Sequence, residues 1–250
     1  MNDDEIRNHV ERVRTRGYTH LKAHFSKDLI ETIAQAFQSI YEASLDTIRT
    51  DPNRGPMRHY LQLPFARPFY HSLIHADPVV IAMVKCLLGE DAELVQYATD
   101  TPAKGSVFQD WHSDVRPLFP DDPDCCPPPA VLTVNLPLVD IGPDNGPLEI
   151  SDKTHLIPIE MALPQIESGE ISHQALFMNV GDVLIRDPRC VHRGTPNQTD
   201  TPRPVAVIVF ERSWCCYISR RQDNTMSRSL YNSLSDVEQK LLQRNVEPQR

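Results

Sequence analysis

The chain has 250 residues, of which 40% are hydrophobic and 24% charged, and its formal net charge at pH 7 is −9. A length in this range suits one domain with a sizeable core, and we predict a single domain over residues 1–250. The sequence contains no apolar run long enough to cross a bilayer, and the net negative charge argues against nucleic acid or an anionic membrane as partner. We expect a small-molecule partner and leave the oligomeric state open.

The first residues, MNDDEIRNHVERV, are acidic where a targeting signal would be basic or apolar, so we expect a cytoplasmic protein. The six cysteines show no CxxC spacing, and adjacent cysteines rarely bridge each other without strain. Reduced thiols are therefore the favoured interpretation, and a zinc or soft-metal site is the alternative. The cysteines are Cys86, Cys190 and the adjacent pairs Cys125-Cys126 and Cys215-Cys216.

Two helices are predicted in the first third of the chain. Residues 26–44 place apolar side chains on one helical stripe, with Ser26 as a plausible N-cap. Residues 77–88 begin at a potential cap, Asp77, and end at Gly89. Both helices precede the region in which we find residues suited to chemistry.

After residue 50 the sequence pattern changes from helical periodicity to proline-rich and strand-like segments. Residues 50–70 hold four of the 22 prolines and several aromatics, which predicts an irregular covering segment. Residues 92–213 contain short strand-like runs between turn-forming clusters, as in an antiparallel sandwich or barrel. The proline-rich stretch 117–129 cannot hold a strand ladder and should be a surface loop. A last helix is predicted at 236–244. The clearest strand-like runs are 130–139, 182–186 and 204–212.

A possible metal site begins at His112 and Asp114. On a strand, the two outer residues of an H-x-D element project from the same face. His192 supplies a second imidazole after a later strand. Two histidines and one carboxylate are the sparse set that an iron(II) oxygenase uses, because it leaves open positions on the metal. Taken alone, one H-x-D pair is more often an ordinary surface pair.

A basic residue follows at the start of the next predicted strand. Arg203 lies eleven residues after His192, and in the expected layout it faces the same interior. A guanidinium suits a carboxylate because it can donate two parallel hydrogen bonds. The alternative is a solvated charge at the end of a strand.

Together these stretches resemble the phytanoyl-CoA dioxygenase family of Fe(II)/2-oxoglutarate oxygenases. The matching elements occur in the family's order over about residues 92–213. The resemblance implies a mainly β fold: a double-stranded β-helix, or jelly roll, of the cupin-like type. It would have helical support at about 1–91 and a C-terminal extension with a short helix at 214–250. The elements are Trp111-His112-x-Asp114, Asp144–Glu149, Lys153–His155, Gly181–Val183, and His192–Asn197 through Arg203.

The resemblance also implies roles for individual residues. His112, Asp114 and His192 would ligate Fe(II), and Arg203 would bind the distal carboxylate of the co-substrate 2-oxoglutarate. Thr133 is a further candidate for contacting that co-substrate, and the alternative is a side chain that faces only a neighbouring strand.

Gln109 is a weaker candidate for the same role. The family commonly has serine two residues after the second histidine, where this chain has Gly194. The second carboxylate contact is thereby placed in doubt, and Thr195 is a possible replacement. Within the same stretches, Asn145-Gly146 is read as a turn, and His155 is expected to have a structural hydrogen-bonding role.

The implied reaction consumes 2-oxoglutarate and O2, releases succinate and CO2, and oxidises a small organic substrate. Related halogenases carry glycine or alanine at the position of Asp114, so its presence favours hydroxylation. Desaturation, epoxidation and rearrangement stay open, because they start from the same iron site. A non-catalytic metal- or ligand-binding jelly roll and a cupin-like enzyme without 2-oxoglutarate are further alternatives.

Substrate selection should come from side chains around the barrel mouth. We name Arg58, Tyr60, Arg116 and Arg186 as candidates. Three arginines would suit an anionic substrate bearing a carboxylate or phosphate. Surface ion pairs with the abundant acidic residues are an equally good interpretation of each.

Overall fold

A computed structural model describes residues 1–50, 54–119, 121–122, 125–218 and 225–247, apart from the side chain of Arg49. Within these ranges, none of the helices has the length and apolar character needed to span a bilayer. All six cysteines are free, in line with the expectation of reduced thiols.

Nine strands form two antiparallel sheets in the part of the chain that the structure describes. The larger sheet has the strand order β1-β7-β4-β9-β3-β2, and the smaller sheet has the order β6-β5-β8. The strands are β1 Tyr18–Leu21, β2 Arg58–Gln62, β3 Glu93–Pro102, β4 Val131–Pro137, β5 Leu148–Ser151, β6 His173–Leu176, β7 Val183–Arg186, β8 His192–Gly194 and β9 Val205–Glu211.

Helices flank the sheets at both ends of the chain and in the connections β1–β2, β2–β3 and β5–β6. They are α1 Asp3–Arg16, α2 Lys27–Thr50, α3 Ser72–His75, α4 Pro78–Leu88, α5 Ile159–Glu167, α6 Arg228–Asn232 and α7 Asp236–Leu242, with 3-10 turns at Thr154–Leu156 and Gln243–Asn245.

The larger sheet separates the hydrophobic core from the functional cavity. On β4, Leu132 and Val134 belong to the core cluster shared with α2 and α4. Their neighbours Val131, Thr133 and Asn135 face a cavity on the other side. Because successive strand residues point to opposite faces, one face packs on helices and the other is free to bind a ligand. The predicted jelly-roll fold with flanking helices is confirmed.

The predicted helices are present, and one is longer than expected. Asp77 caps α4 through hydrogen bonds from the backbone N–H groups of Val79 and Val80. Ser235 and Glu238 form a capping box at the start of α7. Helix α2 runs on to Thr50, beyond the predicted end at residue 44. Its apolar stripe continues through two residues that pack on the core, Leu45 and Ile48.

The prediction of an irregular segment at 50–70 was wrong in its central part. Residues 58–62 form β2, which pairs with β3 in the register Arg58↔Pro102 to Gln62↔Ala98. The strand lies at the edge of the larger sheet, so prolines on either side do not interrupt a ladder. Residues 51–53 lie outside the described residues. In the loop 117–129, the described residues contain no strand, as predicted.

The core contains a histidine that should make stability depend on pH. His75 is 1% exposed and packs edge-on against Tyr97, with ring centroids 4.5 Å apart. Burial lowers its pKa from 6.5 to about 4. Above pH 6.5 the ring is neutral whether the chain is folded or unfolded. As the pH falls from 6.5 to 4 only the unfolded chain gains the proton, so stability is lost in that window.

We expect this effect to reach on the order of 3 kcal/mol. The variant His75→Gln keeps a donor but cannot titrate, so its free energy of unfolding should depend less on pH than that of the wild type. Denaturant unfolding at pH 7, 5.5 and 4 measures the difference. Parallel pH profiles for the two proteins would show that His75 does not contribute.

Candidate metal centre

Residues from both sheets line a cavity of about 330 Å³. The larger sheet contributes alternate residues of β2, β3, β4, β7 and β9, and the smaller sheet contributes one face of β5, β6 and β8. The wall near β9 is apolar, with Val205, Val207 and Val209. The polar and charged residues of the wall are Arg54, Arg58, Tyr60, Gln62, Gln96, Asp100, Gln109, His112, Asp114, Thr133, Asn135, Arg186, His192 and Arg203.

The three residues selected from the sequence as metal ligands lie together in this wall. One potential ligand atom from each of His112, Asp114 and His192 lies within 4.8 Å of the other two. The Nε2 atom of His112 is 3.8 Å from Oδ1 of Asp114, and that of His192 is 3.5 Å from Oδ2. No other cluster of this kind occurs among the residues that the structure describes.

The element that carries His112 and Asp114 is a loop, and the predicted strand is absent here. A two-way backbone pair holds the loop to β8: the N–H of His112 donates to the carbonyl of His192, and the reverse bond also forms. The N–H of Asp114 donates to the carbonyl of Pro188. The two ligands are thus brought together by pairing with the segment of the second histidine, and strand alternation plays no part.

Backbone carbonyls orient both imidazole rings. The Nδ1 atom of His112 is 2.8 Å from the carbonyl oxygen of Asp110, and that of His192 is 2.9 Å from the carbonyl oxygen of Cys190. A carbonyl can only accept, so each Nδ1 carries the proton and each Nε2 presents its lone pair. The pKa of His192 is lowered to about 3, mainly by burial and next by the positive charge of Arg186. Its ring is therefore neutral near pH 7, as metal binding requires.

The carboxylate is held ionised by a buried guanidinium. Nη2 of Arg186 donates to Oδ2 of Asp114 at 2.6 Å, and Nε donates to Asn135. Removal from water alone would raise the pKa of Asp114, but the charge and the hydrogen bond of Arg186 hold it well below its usual range. A donor set of two imidazoles and one carboxylate suits a divalent first-row metal and leaves part of its coordination sphere facing the cavity. The residues present therefore fit an iron(II) ion.

The candidates for contacting 2-oxoglutarate also line this cavity. Arg203 is 4% exposed, and its Nη2 donates to the carbonyl of Gly146. Its Nε has no hydrogen-bond partner among the described residues. Burial lowers the pKa of Arg203 to about 10, so the group stays charged near pH 7. Thr133 lies on the cavity face of β4, and Oε1 of Gln109 accepts from the N–H of Gly194 at 3.0 Å.

The four substrate candidates are placed differently from one another. Arg58 and Tyr60 line the cavity on β2, and Arg58 donates to Asp100 at 3.0 Å. Arg186 lines the cavity too, but it donates a hydrogen bond to Asp114. Asp114 is one of the three candidate metal ligands His112, Asp114 and His192, which we call the metal set. Arg116 is exposed and lines a separate depression beside the proline-rich loop. It is therefore not brought into the cavity with the other three.

The remaining residues of the matching stretches have structural contacts. Gly146 has φ +87°, as the predicted turn requires. Nε2 of His155 is 3.0 Å from the carbonyl oxygen of Arg14, away from the metal set. The hydroxyl of Thr195 donates to the carbonyl of Pro147, so it is already occupied.

Sequence reasoning missed the contribution of Arg193. Its guanidinium lies between two aromatic rings, 4.6 Å from the centroid of Phe108 and 4.3 Å from that of Trp111. Glu149 accepts from its Nε at 2.7 Å. Both rings belong to the loop that carries His112. Arg193, the residue after His192, therefore holds the loop that carries His112 in place. The aromatic residues Phe108 and Trp111 before His112 are the sequence signal that could have revealed this role.

We expect Arg193→Gln to weaken metal binding about tenfold or more while the fold is retained, as loss of supporting contacts around metal ligands typically does. Nickel titration measures the affinity, and the melting temperature reports the fold. Arg14→Gln, which changes an exposed arginine paired with Glu11, is the matched control. Equal nickel affinities in the two variants would remove Arg193 from the metal centre.

The chain is similar to known proteins in sequence and in fold. The sequence model of a family described as Phytanoyl-CoA dioxygenase (PhyH) matches residues 13–205. Among solved structures, the chain is similar to the non-haem α-ketoglutarate dependent epimerase SnoN from nogalamycin biosynthesis. The identity is 18%, the TM-score is 0.64, and the match covers 85% of this chain and 82% of that one. It is also similar to HygX from Streptomyces hygroscopicus, solved with nickel and 2-oxoglutarate bound. The identity is 19%, the TM-score is 0.61, and the coverage is 88% and 90%.

Proposed function

The chain belongs to the phytanoyl-CoA dioxygenase family, and from that premise we propose that it is an Fe(II)- and 2-oxoglutarate-dependent oxygenase that hydroxylates a small organic molecule. One observation carries the proposal. Two imidazoles, one carboxylate and a buried arginine whose Nε has no partner among the described residues line the same cavity. The imidazoles and the carboxylate would bind a metal ion, and the arginine would bind the carboxylate of a co-substrate.

The similar structures support the choice of cofactors. HygX binds 2-oxoglutarate together with nickel, a divalent metal that uses the same ligand types as iron, and SnoN depends on α-ketoglutarate. By the same chemistry, His112, Asp114 and His192 would hold Fe(II) in this chain. Arg203 would bind the distal carboxylate of 2-oxoglutarate, with Thr133 and Gln109 as further candidates at the cavity wall.

Bound iron would supply the activation of O2 for the oxidation. In a hydroxylation, one oxygen atom enters the substrate C–H bond, the other enters succinate, and the 1-carboxylate of 2-oxoglutarate leaves as CO2. The residues of this chain would perform the binding steps. Arg203 and the metal set hold the two ends of the co-substrate, Arg186 keeps Asp114 ionised, and the valines of β9 keep the wall dry.

The cavity favours a small substrate, because about 330 Å³ must hold both the co-substrate and the reacting part of the substrate. The case for an anionic group is weaker than the sequence suggested. Arg58 and Arg186 are paired with Asp100 and Asp114, and Arg116 lines another depression. We therefore expect neutral compounds to be accepted as well.

A panel of small metabolites, each tested as the free acid and as its neutral ester, would test the reaction type and the substrate class together. The iron-loaded protein should form succinate in step with a product that carries one added oxygen atom from O2. Succinate formed with a product of unchanged composition would indicate epimerisation, and loss of two hydrogens would indicate desaturation. Failure to bind either metal or 2-oxoglutarate would contradict the enzymatic proposal and favour a non-catalytic jelly roll.

A further inference from the structure

Gly194 lies directly against the guanidinium of Arg58. A Cβ atom built on Gly194 would lie 2.5 Å from the Cζ, Nη1 and Nη2 atoms of Arg58 alike. Contacts of that length do not occur between real atoms, and three equal distances mean that the flat group covers the position of a side chain. The serine expected here from the family pattern would collide with Arg58. The glycine is therefore the residue that gives this arginine its place in the cavity wall.

The guanidinium of Arg58 is buried, and only some of its N–H groups have hydrogen-bond partners among the described residues. The residue is 1% exposed, Nη1 donates to Asp100 at 3.0 Å, and Nη2 donates to the carbonyl of Thr195 at 2.9 Å. Its Nε has no partner among the residues the structure describes, and the same is true of the Nε of Arg203. Nη1 of Arg186, in the same cavity wall, also lacks a partner among the described residues. Buried polar groups are nearly always hydrogen-bonded, so three such atoms in one cavity wall indicate a missing ligand.

The charges at this end of the cavity do not balance without one. Arg58 and Arg203 are both buried and positive, and Asp100 is the carboxylate that faces them. The group as a whole carries a charge of +1. Buried charge is costly unless it is paired, so an anion of charge −1 fits the remaining gap.

We propose that Arg58 is a second binding residue for the distal carboxylate of 2-oxoglutarate, beside Arg203, and that Gly194 is required to admit its guanidinium. The inference rests on the proposed function. It makes the residue a ligand of the co-substrate, whereas the sequence suggested a contact to the substrate. It also explains how the site can do without a serine hydroxyl at position 194.

The test must separate a contact to the carboxylate from simple neutralisation of Asp100. Arg58→Gln alone would leave Asp100 unpaired and repel any anion. The double variant Arg58→Gln/Asp100→Asn removes both charges and leaves the sum unchanged. We would titrate nickel-loaded protein with 2-oxoglutarate and, as comparator, with its 5-methyl ester, which lacks the distal charge. Nickel affinity and melting temperature check the metal centre and the fold.

The double variant should bind 2-oxoglutarate at least about tenfold more weakly, the loss expected for a hydrogen bond to a charged group, while its affinity for the ester changes little. Gly194→Ser should cause the same selective loss by displacing Arg58. Adding Gly194→Ser to the double variant should cause no further loss, because the residue it displaces is already gone. Should the double variant not fold, Arg58→Lys keeps the charge without the planar fork and should show a partial loss.

Wild-type affinity for 2-oxoglutarate in the double variant would overturn the inference and leave Arg58 as the partner of Asp100. Equal losses for 2-oxoglutarate and its ester would also overturn it, since the contact would not involve the distal carboxylate. Neither result would contradict the proposed function, because Arg203 and the metal ligands would still account for 2-oxoglutarate binding. A wild-type protein that binds nickel but no 2-oxoglutarate would overturn both.

Discussion

Replacing His112 or His192 with alanine is expected to abolish metal binding. Each ring presents one Nε2 lone pair to the site, because its Nδ1 is committed to a backbone carbonyl. A set of three protein ligands that loses one cannot hold a divalent ion tightly. We expect the affinity to fall by more than about 100-fold, beyond the usual effect of losing a supporting contact. Equilibrium dialysis against nickel or anaerobic iron(II) measures it.

His20→Ala is a matched control, since the Nε2 atom of His20 on β1 is 2.9 Å from Oδ2 of Asp182 and His20 is not one of the three candidate metal ligands. Its metal content should equal that of the wild type. Added metal should also raise the melting temperature of the wild type and the control, because a ligand that binds only the folded state stabilises it. Wild-type metal content in both the His112 and the His192 variant would rule out the assignment.

Replacing Arg203 with alanine should weaken 2-oxoglutarate binding strongly and leave the metal in place. Arg203 is buried, and truncating one partner of a desolvated charge pair typically costs about 2–5 kcal/mol. That cost corresponds to a rise in the dissociation constant of roughly 30-fold to several thousandfold. Titration of the nickel-loaded protein measures it without requiring a substrate. Arg203→Lys should recover only part of the affinity, because lysine lacks the planar fork.

Arg54→Ala is the control for a general loss of positive charge. Arg54 lies at the cavity wall over the ring of Tyr60, 4.5 Å from its centroid. Its removal should change 2-oxoglutarate affinity only slightly. If the Arg203 and Arg54 variants lost the same modest amount, the effect of Arg203 would be long-range attraction and not a contact.

The sequence pointed to the candidate metal ligands His112, Asp114 and His192 for a reason that the structure only partly supports. The spacing of His112 and Asp114 suggested a strand, yet both lie on a loop held to β8 by a backbone pair. The residues were still found, because the family pattern constrains residue types and order more than local conformation. Helix α1 was missed although a capping box of Asn2 and Glu5 marks its start. Its few apolar residues were too sparse to suggest a helix without that signal.

The charge partners of the cavity could not be read from the sequence. Arg58 meets Asp100 only because β2 and β3 pair in one register, and Arg186 meets Asp114 only because the loop folds back over β7. A shift of one residue in the β2–β3 register would turn Arg58 to the opposite face. The sequence therefore suggests which arginines lie near the site. Only the folded structure shows which of them is paired with a carboxylate and which is available to bind a ligand.

Metal-dependent binding of 2-oxoglutarate is the most direct test of the proposed iron and 2-oxoglutarate site. Titration calorimetry under anaerobic conditions would compare metal-free protein with protein loaded with iron(II). We expect one 2-oxoglutarate per chain to bind the loaded protein and much weaker binding to the metal-free protein, because under the proposal a bound metal would hold one end of the co-substrate and Arg203 the other. Equal binding with and without metal, or none in either case, would contradict the assignment of this cavity.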